Sequence, residues 1–204
     1  MCGIAGFYNF QTGKQDQPTA TLRRMLTRIK HRGPDQSGVY LTNSVGLGSV
    51  RLSIVDLSSG TMPISNFDDS LWIVFNGEIF NHIELRQELE SKNHKFKTHS
   101  DTEVIVHLYE EYGPEFVHKL NGQFAIAIWD KNKEELFLAR DRVGIRPLYY
   151  TEVGESFVFA SEIKSMLEFP GFKPKLSPMA VSEYFTFWTS ISPGTAFEGI
   201  FEVP

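Results

Sequence analysis

The sequence predicts an α+β fold in which two antiparallel sheets stack on one another and helices cover their outer faces. Short apolar runs, some with period-two alternation, recur at least five times along the chain and indicate strands. Segments with helical spacing or helix-start signals lie between and after these runs. Two stacked sheets with outer helices would bury the apolar faces of both kinds of element. Periodicity alone also fits a simpler α+β sandwich.

Strands supply most of the predicted core. The runs that predict them lie at 45–55, 71–75, 124–129, 136–139 and 157–160. Two pairs of neighbouring segments, 121–130 with 134–140 and 146–151 with 156–160, are close enough in sequence to form antiparallel hairpins.

Four helices are predicted. Apolar residues spaced over 22–29 share one helical face, and HRGPD at 31–35 supplies the glycine and proline that end this helix. Asn81 and Ser100 are each followed three residues later by glutamate, which resembles a capping box. Ser177, followed by proline, is typical of a fourth helix start.

Composition excludes several classes of protein. With 20 basic and 25 acidic residues the formal net charge is −5, so no nucleic-acid partner is indicated. The single cysteine, Cys2, excludes an intrachain disulfide, and the apolar runs are too short to span a membrane. The first ten residues do not resemble a secretory signal, so a cytoplasmic protein is expected. The six histidines lack HExxH or similar spacing, so no metal site is expected.

Residues 1–169 form one predicted domain without linkers or charge blocks. Beyond it the composition changes, because five of the ten prolines lie in the last 35 residues, as in a loop-rich connector. We therefore expect residues 170–204 to be a connector that continues beyond Pro204.

Cys2 directly follows the initiator methionine, and its small side chain permits removal of Met1. Removal would place a thiol and a free α-amine on one residue. The thiolate is the nucleophilic form, and a cysteine thiol is mostly protonated at neutral pH. An α-amine titrates close enough to neutrality to accept that proton, so one residue would supply nucleophile and base. The alternative is a small buried hydrophobe at the start of a strand.

Asn76-Gly77-Glu78 follows the apolar segment LWIVF. A side-chain amide beside an unobstructed backbone N–H suits an oxyanion hole, and glycine allows a substrate to approach closely. Asn-Gly is also common in type I′ hairpin turns. The segment leads into a predicted helix rather than a second strand, which weakens the turn interpretation.

Arg51 and Asp101 offer opposite charges. Arg51, in VRLSIVD, is either a planar fork for a carboxylate or a solvent-facing strand residue. Asp101, in HSDTE, is either a partner for an ammonium group or a helix-start carboxylate favoured by the helix dipole. An arginine for a carboxylate and two acids for an ammonium would together recognise a free amino acid.

Eight motifs then occur in order along the chain: MCGIAGF, HRGPDQSG, RLSIVDLS, FNGEI-N, SDTEV, LNGQFAIAIWD, RDRVGIRPLYY and FASEIK. Over about residues 2–169 the series resembles the N-terminal domain of the glutamine-hydrolysing asparagine synthetases, which are class II glutamine amidotransferases. The resemblance implies an N-terminal-nucleophile hydrolase fold, an αββα sandwich whose mature first residue is catalytic.

By motif, the resemblance implies Cys2 as the nucleophile and Asn76 with Gly77 as the oxyanion hole. It implies that Arg51 holds the α-carboxylate of L-glutamine. The other implied glutamine contacts are Glu78 and Asp101 around the ammonium group and backbone groups of Ile54 and Val55.

The implied reaction is hydrolysis of L-glutamine through a γ-glutamyl thioester, with no cofactor in this domain. Ammonia would pass to a C-terminal synthetase domain that uses ATP and Mg²⁺ to make asparagine from aspartate. The SGGxDS motif expected of that domain does not occur in this sequence. Two alternatives stay open: a C-terminal domain that aminates another carboxylate, and a scaffold domain without catalysis. A homodimer is compatible with the resemblance.

Overall fold

The structure, a computed structural model, describes residues 1–11, 17–52, 60–191 and 193–204. Ile54 and Val55, the implied backbone contacts of glutamine, lie outside the described residues. The strands are β1 (Gly3–Asn9), β2 (Gln36–Leu41), β3 (Val45–Arg51), β4 (Ile64–Ser65), β5 (Leu71–Ile79), β6 (Gly122–Asp130), β7 (Glu135–Arg140), β8 (Tyr149–Val153), β9 (Ser156–Ala160) and β10 (Ile200–Glu202). The α-helices are α1 (Pro18–Arg28), α2 (His82–Ser91), α3 (Asp101–Tyr112), α4 (Ile163–Met166) and α5 (Pro178–Phe187). Short 3₁₀ helices lie at Lys30–Arg32 and Gly113–Lys119.

The described strands form two antiparallel sheets. One has six strands in the order β10-β8-β9-β1-β3-β2, and the other has four in the order β4-β5-β6-β7. Both predicted hairpins form, β6 with β7 and β8 with β9. The predicted arrangement of two antiparallel sheets with helices is therefore confirmed.

Side-chain alternation shows how the layers stack. On β5, Val74 joins an apolar cluster between the two sheets, whereas Ile73 and Phe75 join a cluster beneath α2 and α3. On β1, Ile4 belongs to the cluster between the sheets, and Phe7 belongs to a cluster that includes the apolar face of α1. Because successive side chains of a strand point to opposite faces, both sheets are covered on both sides. The layer order is helix, sheet, sheet, helix.

Two of the predicted helix starts have the expected caps. Ser100 Oγ accepts a hydrogen bond from Thr102 N at 3.2 Å, and Ser177 Oγ accepts one from Ala180 N at 3.2 Å. Each bond satisfies one of the N–H groups that a helix start leaves unpaired. Glu103 does not complete a capping box at Ser100, because its carboxylate accepts from backbone N–H groups further back in the loop.

The predicted capping box at Asn81 is wrong, although α2 does begin at the next residue. The Asn81 side chain donates to Lys119 O and accepts from Asn121 N, both at 3.0 Å. It therefore links the end of β5 to the segment that enters β6. A local pattern could not reveal these partners, which lie about forty residues away in sequence.

The segment after residue 169 contributes to the larger sheet. In β10, Ile200 pairs with Thr151 and Glu202 pairs with Tyr149 of β8. The boundary between a domain of residues 1–169 and a connector of residues 170–204 stays a prediction. Among the described residues, no helix is long and apolar enough to cross a membrane.

Candidate active site

A cleft of about 90 Å³ lies at one end of the sandwich. It brings together all the predicted site residues that the structure describes. Cys2 directly precedes β1, and Arg51 ends β3. The others lie in the second half of β5 and at the start of α3: Asn76, Gly77, Glu78 and Asp101. Residues separated by up to about a hundred positions in sequence therefore share one small cavity.

Cys2 directly precedes β1, an interior strand of the six-stranded sheet. Because Gly3 pairs with Val50, the residue before Gly3 lies beside the end of β3. The Cys2 thiol lies 3.7 Å from Leu52 O, and Arg32 Nε donates to the carbonyl oxygen of Cys2 at 3.0 Å. Cys2 is partly buried, whereas Met1 is exposed. While Met1 is attached, the nitrogen of Cys2 is an amide and offers no base.

Asn76 is the most unusual polar residue of the cleft. Its side chain is buried, yet neither Nδ2 nor Oδ1 has a hydrogen-bond partner among the described residues. Alternation along β5 places Asn76 on the same face as Val74, toward the sheet that carries Cys2. A buried amide without partners costs about 1–3 kcal/mol in stability. Such a group is expected where a ligand supplies the missing bond.

Gly77 lies within β5, so the hairpin-turn interpretation of Asn-Gly is wrong. Phe75 N and Ile79 N donate away from β6, to Met62 Sδ at 3.3 Å and Asp101 Oδ2 at 3.1 Å. Because N–H groups of alternate strand residues point the same way, Gly77 N–H points to that side, between two cleft residues. A Cβ at Gly77 would collide with the backbone of Gln123, so only glycine fits here.

Arg51 is buried at the end of β3 and is not a solvent-facing strand residue. One guanidinium nitrogen donates to Gln36 Oε1 at 2.8 Å, and the Thr61 hydroxyl donates to the same oxygen at 3.0 Å. Gln36 therefore orients the guanidinium toward the cleft that Arg51 lines. A planar, pre-oriented fork of donors is suited to a carboxylate.

Asp101 lies where both of its predicted roles would require it, at a helix start and in the cleft. It is the first residue of α3, and it also lines the cleft, although the residue is only 6% exposed. Burial raises the pKa of Asp101, against the opposing effects of the Ile79 N–H and His82. The nearby Glu78 carboxylate, which is exposed, raises that pKa further. Two acids thus face one end of the cleft, where a bound cation would relieve their repulsion.

Three further cleft or support residues were missed in the sequence. Arg32 lies in HRGPD, which we interpreted only as a helix stop. Arg146 and Met62 line the cleft, and Arg146 Nε has no partner among the described residues. For the two arginines, the sequence did offer a signal: each is a charged residue beside glycine or proline within one of the eight ordered motifs, as in HRGP and GIRP. Asp130 and Asp141 accept backbone N–H groups in the turns that follow β6 and β7.

Comparisons with known proteins agree with this geometry. Residues 1–204 match the family described as the glutamine amidotransferase domain. The chain is 41% identical over 206 residues to glutamine-hydrolyzing asparagine synthetase 3 of Bacillus subtilis, covering 100% of this chain and 33% of that protein. It is 40% identical over 185 residues to amidase chyE of Penicillium rubens, covering 86% of this chain and 27% of that protein.

The fold is similar to that of a solved structure, glutamine phosphoribosylpyrophosphate amidotransferase from Bacillus subtilis. The TM-score is 0.70 at 22% identity, over 87% of this chain and 46% of that chain. The chain spans about a third or less of the length of the two curated relatives described above. By its match over residues 1–204, by its identity to these relatives and by its fold, the chain belongs to the family of glutamine amidotransferase domains.

Proposed function

We propose that this chain hydrolyses the side-chain amide of L-glutamine, with Cys2 as the nucleophile. The observation that carries the proposal is the buried amide of Asn76, which has no hydrogen-bond partner within the described part of the chain and lies in the cleft that also contains Cys2. An oxyanion forming on a substrate held there would accept the Asn76 Nδ2 donor and the Gly77 N–H. Each donor of this kind typically contributes about 10²–10³ in rate.

The reaction begins after removal of Met1, which frees the α-amine of Cys2. That amine takes the thiol proton, and the thiolate attacks the amide carbon of glutamine. The proton passes to the leaving nitrogen, the C–N bond breaks and ammonia departs, leaving a γ-glutamyl thioester. Water, deprotonated by the same amine, then cleaves the C–S bond and releases glutamate and the thiol. No cofactor takes part in these steps.

Substrate recognition follows from the charges at the cleft. Arg51, oriented by Gln36, would bind the α-carboxylate of glutamine in a bidentate manner. Asp101 and Glu78 would bind the α-ammonium group. A ligand with a carboxylate, an ammonium and a side-chain amide satisfies all three parts of the site, and ammonium binding compensates the cost of ionising the buried Asp101.

In a longer protein, the ammonia would serve a second domain. The name of the Bacillus subtilis relative supports asparagine synthesis. As the motif resemblance implies, a synthetase domain would then make asparagine from aspartate with ATP and Mg²⁺. The Penicillium rubens relative is named an amidase and not an asparagine synthetase, so the alternative, in which the second domain aminates another carboxylate, stays open. The large exposed aromatic side chains of α5 and its end, Phe185 and Trp188, would contact that domain. We place the protein in the cytoplasm, because a single cysteine gives no indication of the disulfides that are typical of oxidising compartments.

Glutamate release from L-glutamine tests the proposal. We expect the purified chain with a mature Cys2 terminus to release glutamate and ammonia in equal amounts, and the Cys2→Ala variant to release neither. Release at the parental rate by Cys2→Ala would contradict the proposal. Ammonia acceptors are tested in the full-length protein: asparagine formed from aspartate supports the synthetase, and amidation of a different acid supports the alternative.

A further inference from the structure

Three ligand-type atoms meet outside the cleft, between the loop after α2 and the helix α3. His94 Nδ1 lies 3.2 Å from His107 Nδ1, and His107 Nδ1 lies 3.0 Å from Glu110 Oε2. The third side of the triangle, from His94 Nδ1 to Glu110 Oε2, measures 3.6 Å. His107 and Glu110 are three residues apart on α3, so they lie on one face of that helix.

The opposite nitrogens of both rings face carboxylates. His94 Nε2 lies 3.1 Å from Glu111 Oε2, and His107 Nε2 lies 3.8 Å from Glu103 Oε1. A carboxylate at Nε2 favours the tautomer with the proton on that nitrogen, which leaves a lone pair on Nδ1. Two nitrogen lone pairs and one carboxylate oxygen therefore point toward the same spot. Three electron-rich atoms this close repel one another unless a proton or a metal cation lies between them.

We propose that His94, His107 and Glu110 bind a divalent transition-metal ion, with Zn²⁺ the best match. Zinc takes imidazole nitrogen at about 2.0–2.1 Å and carboxylate oxygen at about 2.0–2.2 Å, so tetrahedral ligand atoms lie about 3.3 Å apart. The observed separations of 3.0, 3.2 and 3.6 Å centre on that value. The fourth position is left for water, because the side chains of His94 and Glu110 are partly exposed.

The surrounding groups form the support that metal ligands usually have. Metal-bound histidines commonly donate their other N–H to a carboxylate, and ligating carboxylates are themselves hydrogen-bonded. Glu111 supplies the first feature for His94, and Glu103 lies near His107 Nε2 but, at 3.8 Å, beyond hydrogen-bond distance. Asn66 supplies the second, since its Nδ2 donates to Glu110 Oε1 at 3.2 Å and leaves Oε2 for the ion.

The ion would fasten the loop between α2 and α3 to the helix that it enters. That loop ends at Ser100, which caps α3, and the next residue is Asp101 of the cleft. Bound metal would therefore stabilise the backbone that positions Asp101, without contacting substrate. The absence of HExxH predicted no metal site. The ligands escape such a search because they are spaced by thirteen and three residues and come from a loop and a helix.

Metal titration of the purified chain tests this proposal. Every protein in this titration carries Cys2→Ala, because a free thiol also binds zinc. The protein with this change alone is the parent. After treatment with a chelator, Zn²⁺ is titrated against a chromophoric competitor, and Co²⁺ is used as the spectroscopic probe. The two ligand variants are His94→Ala and Glu110→Gln, both at partly exposed positions where folding is expected to survive. The matched control is His118→Ala, because His118 and Glu115 form an exposed i,i+3 pair 3.4 Å apart without a second histidine.

We expect one equivalent of Zn²⁺ to bind the parent and the His118→Ala variant with equal affinity. Each ligand variant should lose about 100-fold or more in affinity, and Glu111→Gln about 10-fold, as outer-shell changes typically do. Saturating Zn²⁺ should also raise the Tm of the parent but not that of the ligand variants. No binding by the parent, or binding unchanged in folded His94→Ala and Glu110→Gln, would overturn the proposal. It would leave the glutaminase assay on the Cys2 protein unaffected.

Discussion

Arg32 Nε donates a hydrogen bond to the carbonyl oxygen of Cys2 at 3.0 Å. Another nitrogen of the same guanidinium pairs with Glu162 Oε1 at 3.0 Å. Although burial opposes ionisation of Glu162, hydrogen bonds from Lys164, Arg32 and His31 lower its pKa. The carboxylate therefore stays charged at neutral pH and keeps Arg32 directed at Cys2. This pair of bonds fixes the residue on which the proposed chemistry depends.

Replacing Arg32 should slow the reaction more than it weakens glutamine binding. In Arg32→Ala the Cys2 backbone loses its side-chain donor, and a displacement of about 1 Å in a reacting group can cost about 10²-fold in rate. We expect kcat to fall about 10- to 100-fold with KM changed by less than threefold. The control is Arg28→Ala, which removes a different arginine–glutamate pair, Arg28 with Glu168 at 2.6 Å. An equal fall in kcat in both variants would assign the effect to general destabilisation.

Asn76 should matter for rate and little for stability. Because its amide has no partner among the described residues, Asn76→Ala removes no hydrogen bond from the free protein. We expect kcat/KM to fall about 10²- to 10³-fold with Tm unchanged or higher. Asn66 is the matched control, being equally buried but bonded to Leu71 N at 3.0 Å. Asn66→Ala should lose about 1–3 kcal/mol of stability and keep its kcat; the reverse pattern would remove Asn76 from the oxyanion hole.

Arg51 should act on substrate binding. Loss of a charged hydrogen bond costs about 1.5–3 kcal/mol, which corresponds to roughly a 10- to 150-fold rise in KM for glutamine in Arg51→Ala. Lysine should restore little, because it lacks the planar fork. Arg140→Ala serves as the control, since Arg140 is also largely buried and pairs with Glu202 at 3.0 Å outside the cleft. Unchanged kcat/KM in Arg51→Ala would remove Arg51 from the glutamine site.

Asp101 should show a trade-off between stability and function that depends on pH. Its raised pKa means that the folded protein binds this proton more tightly than the unfolded chain does. Stability from this group is therefore complete below the unfolded pKa of 3.8 and is lost as the pH rises through the higher folded value. At pH 7 the ionised carboxylate lowers the free energy of unfolding by about 1.4 kcal/mol for each unit by which the folded pKa of Asp101 exceeds its unfolded pKa.

The Asp101→Asn variant removes that cost while keeping an oxygen for Ile79 N. We expect its Tm to exceed that of the parent at pH 7 and the difference to close as the pH falls toward 4. Glutamine KM should rise at least about 10-fold, because a charged partner for the ammonium is lost. The two measurements are thermal unfolding across pH and steady-state kinetics. A Tm below that of the parent at pH 7 would show that Asp101 is a stabilising cap and not a strained binding group.

Much of the fold was predictable, because the apolar pattern of each segment matches the way in which that segment is buried in the structure. The segment 124–129 alternates apolar residues on both faces, as expected of a strand in a sheet covered on both sides, and β6 is such a strand. The helix start at Ser100 was readable because its cap partner is two residues away. The capping box at Asn81 was predicted wrongly, because the partners of its side chain lie about forty residues away and a local sequence pattern does not detect them.

The site was predictable in composition but not in geometry. Single residues such as Arg51 and Asp101 each had an ordinary structural explanation. Their charges suggested a site for a free amino acid, and the resemblance of eight ordered motifs made that amino acid glutamine. Arg32 was missed because its partner is a backbone carbonyl, which has no sequence signature. The triangle of His94, His107 and Glu110 was missed because its spacing depends on how the loop after α2 folds back onto α3.

The covalent state of Cys2 tests most directly whether this residue, after removal of Met1, is the nucleophile. The purified protein is reacted with a glutamine analogue that carries a thiol-reactive group in place of the side-chain amide, and is then analysed by intact-mass and peptide mass spectrometry. We expect Met1 to be absent, one equivalent of label to lie on the Cys2 thiol, and glutaminase activity to fall in proportion to labelling. Full glutaminase activity in protein that retains Met1, or in protein fully labelled at Cys2, would contradict this role of Cys2.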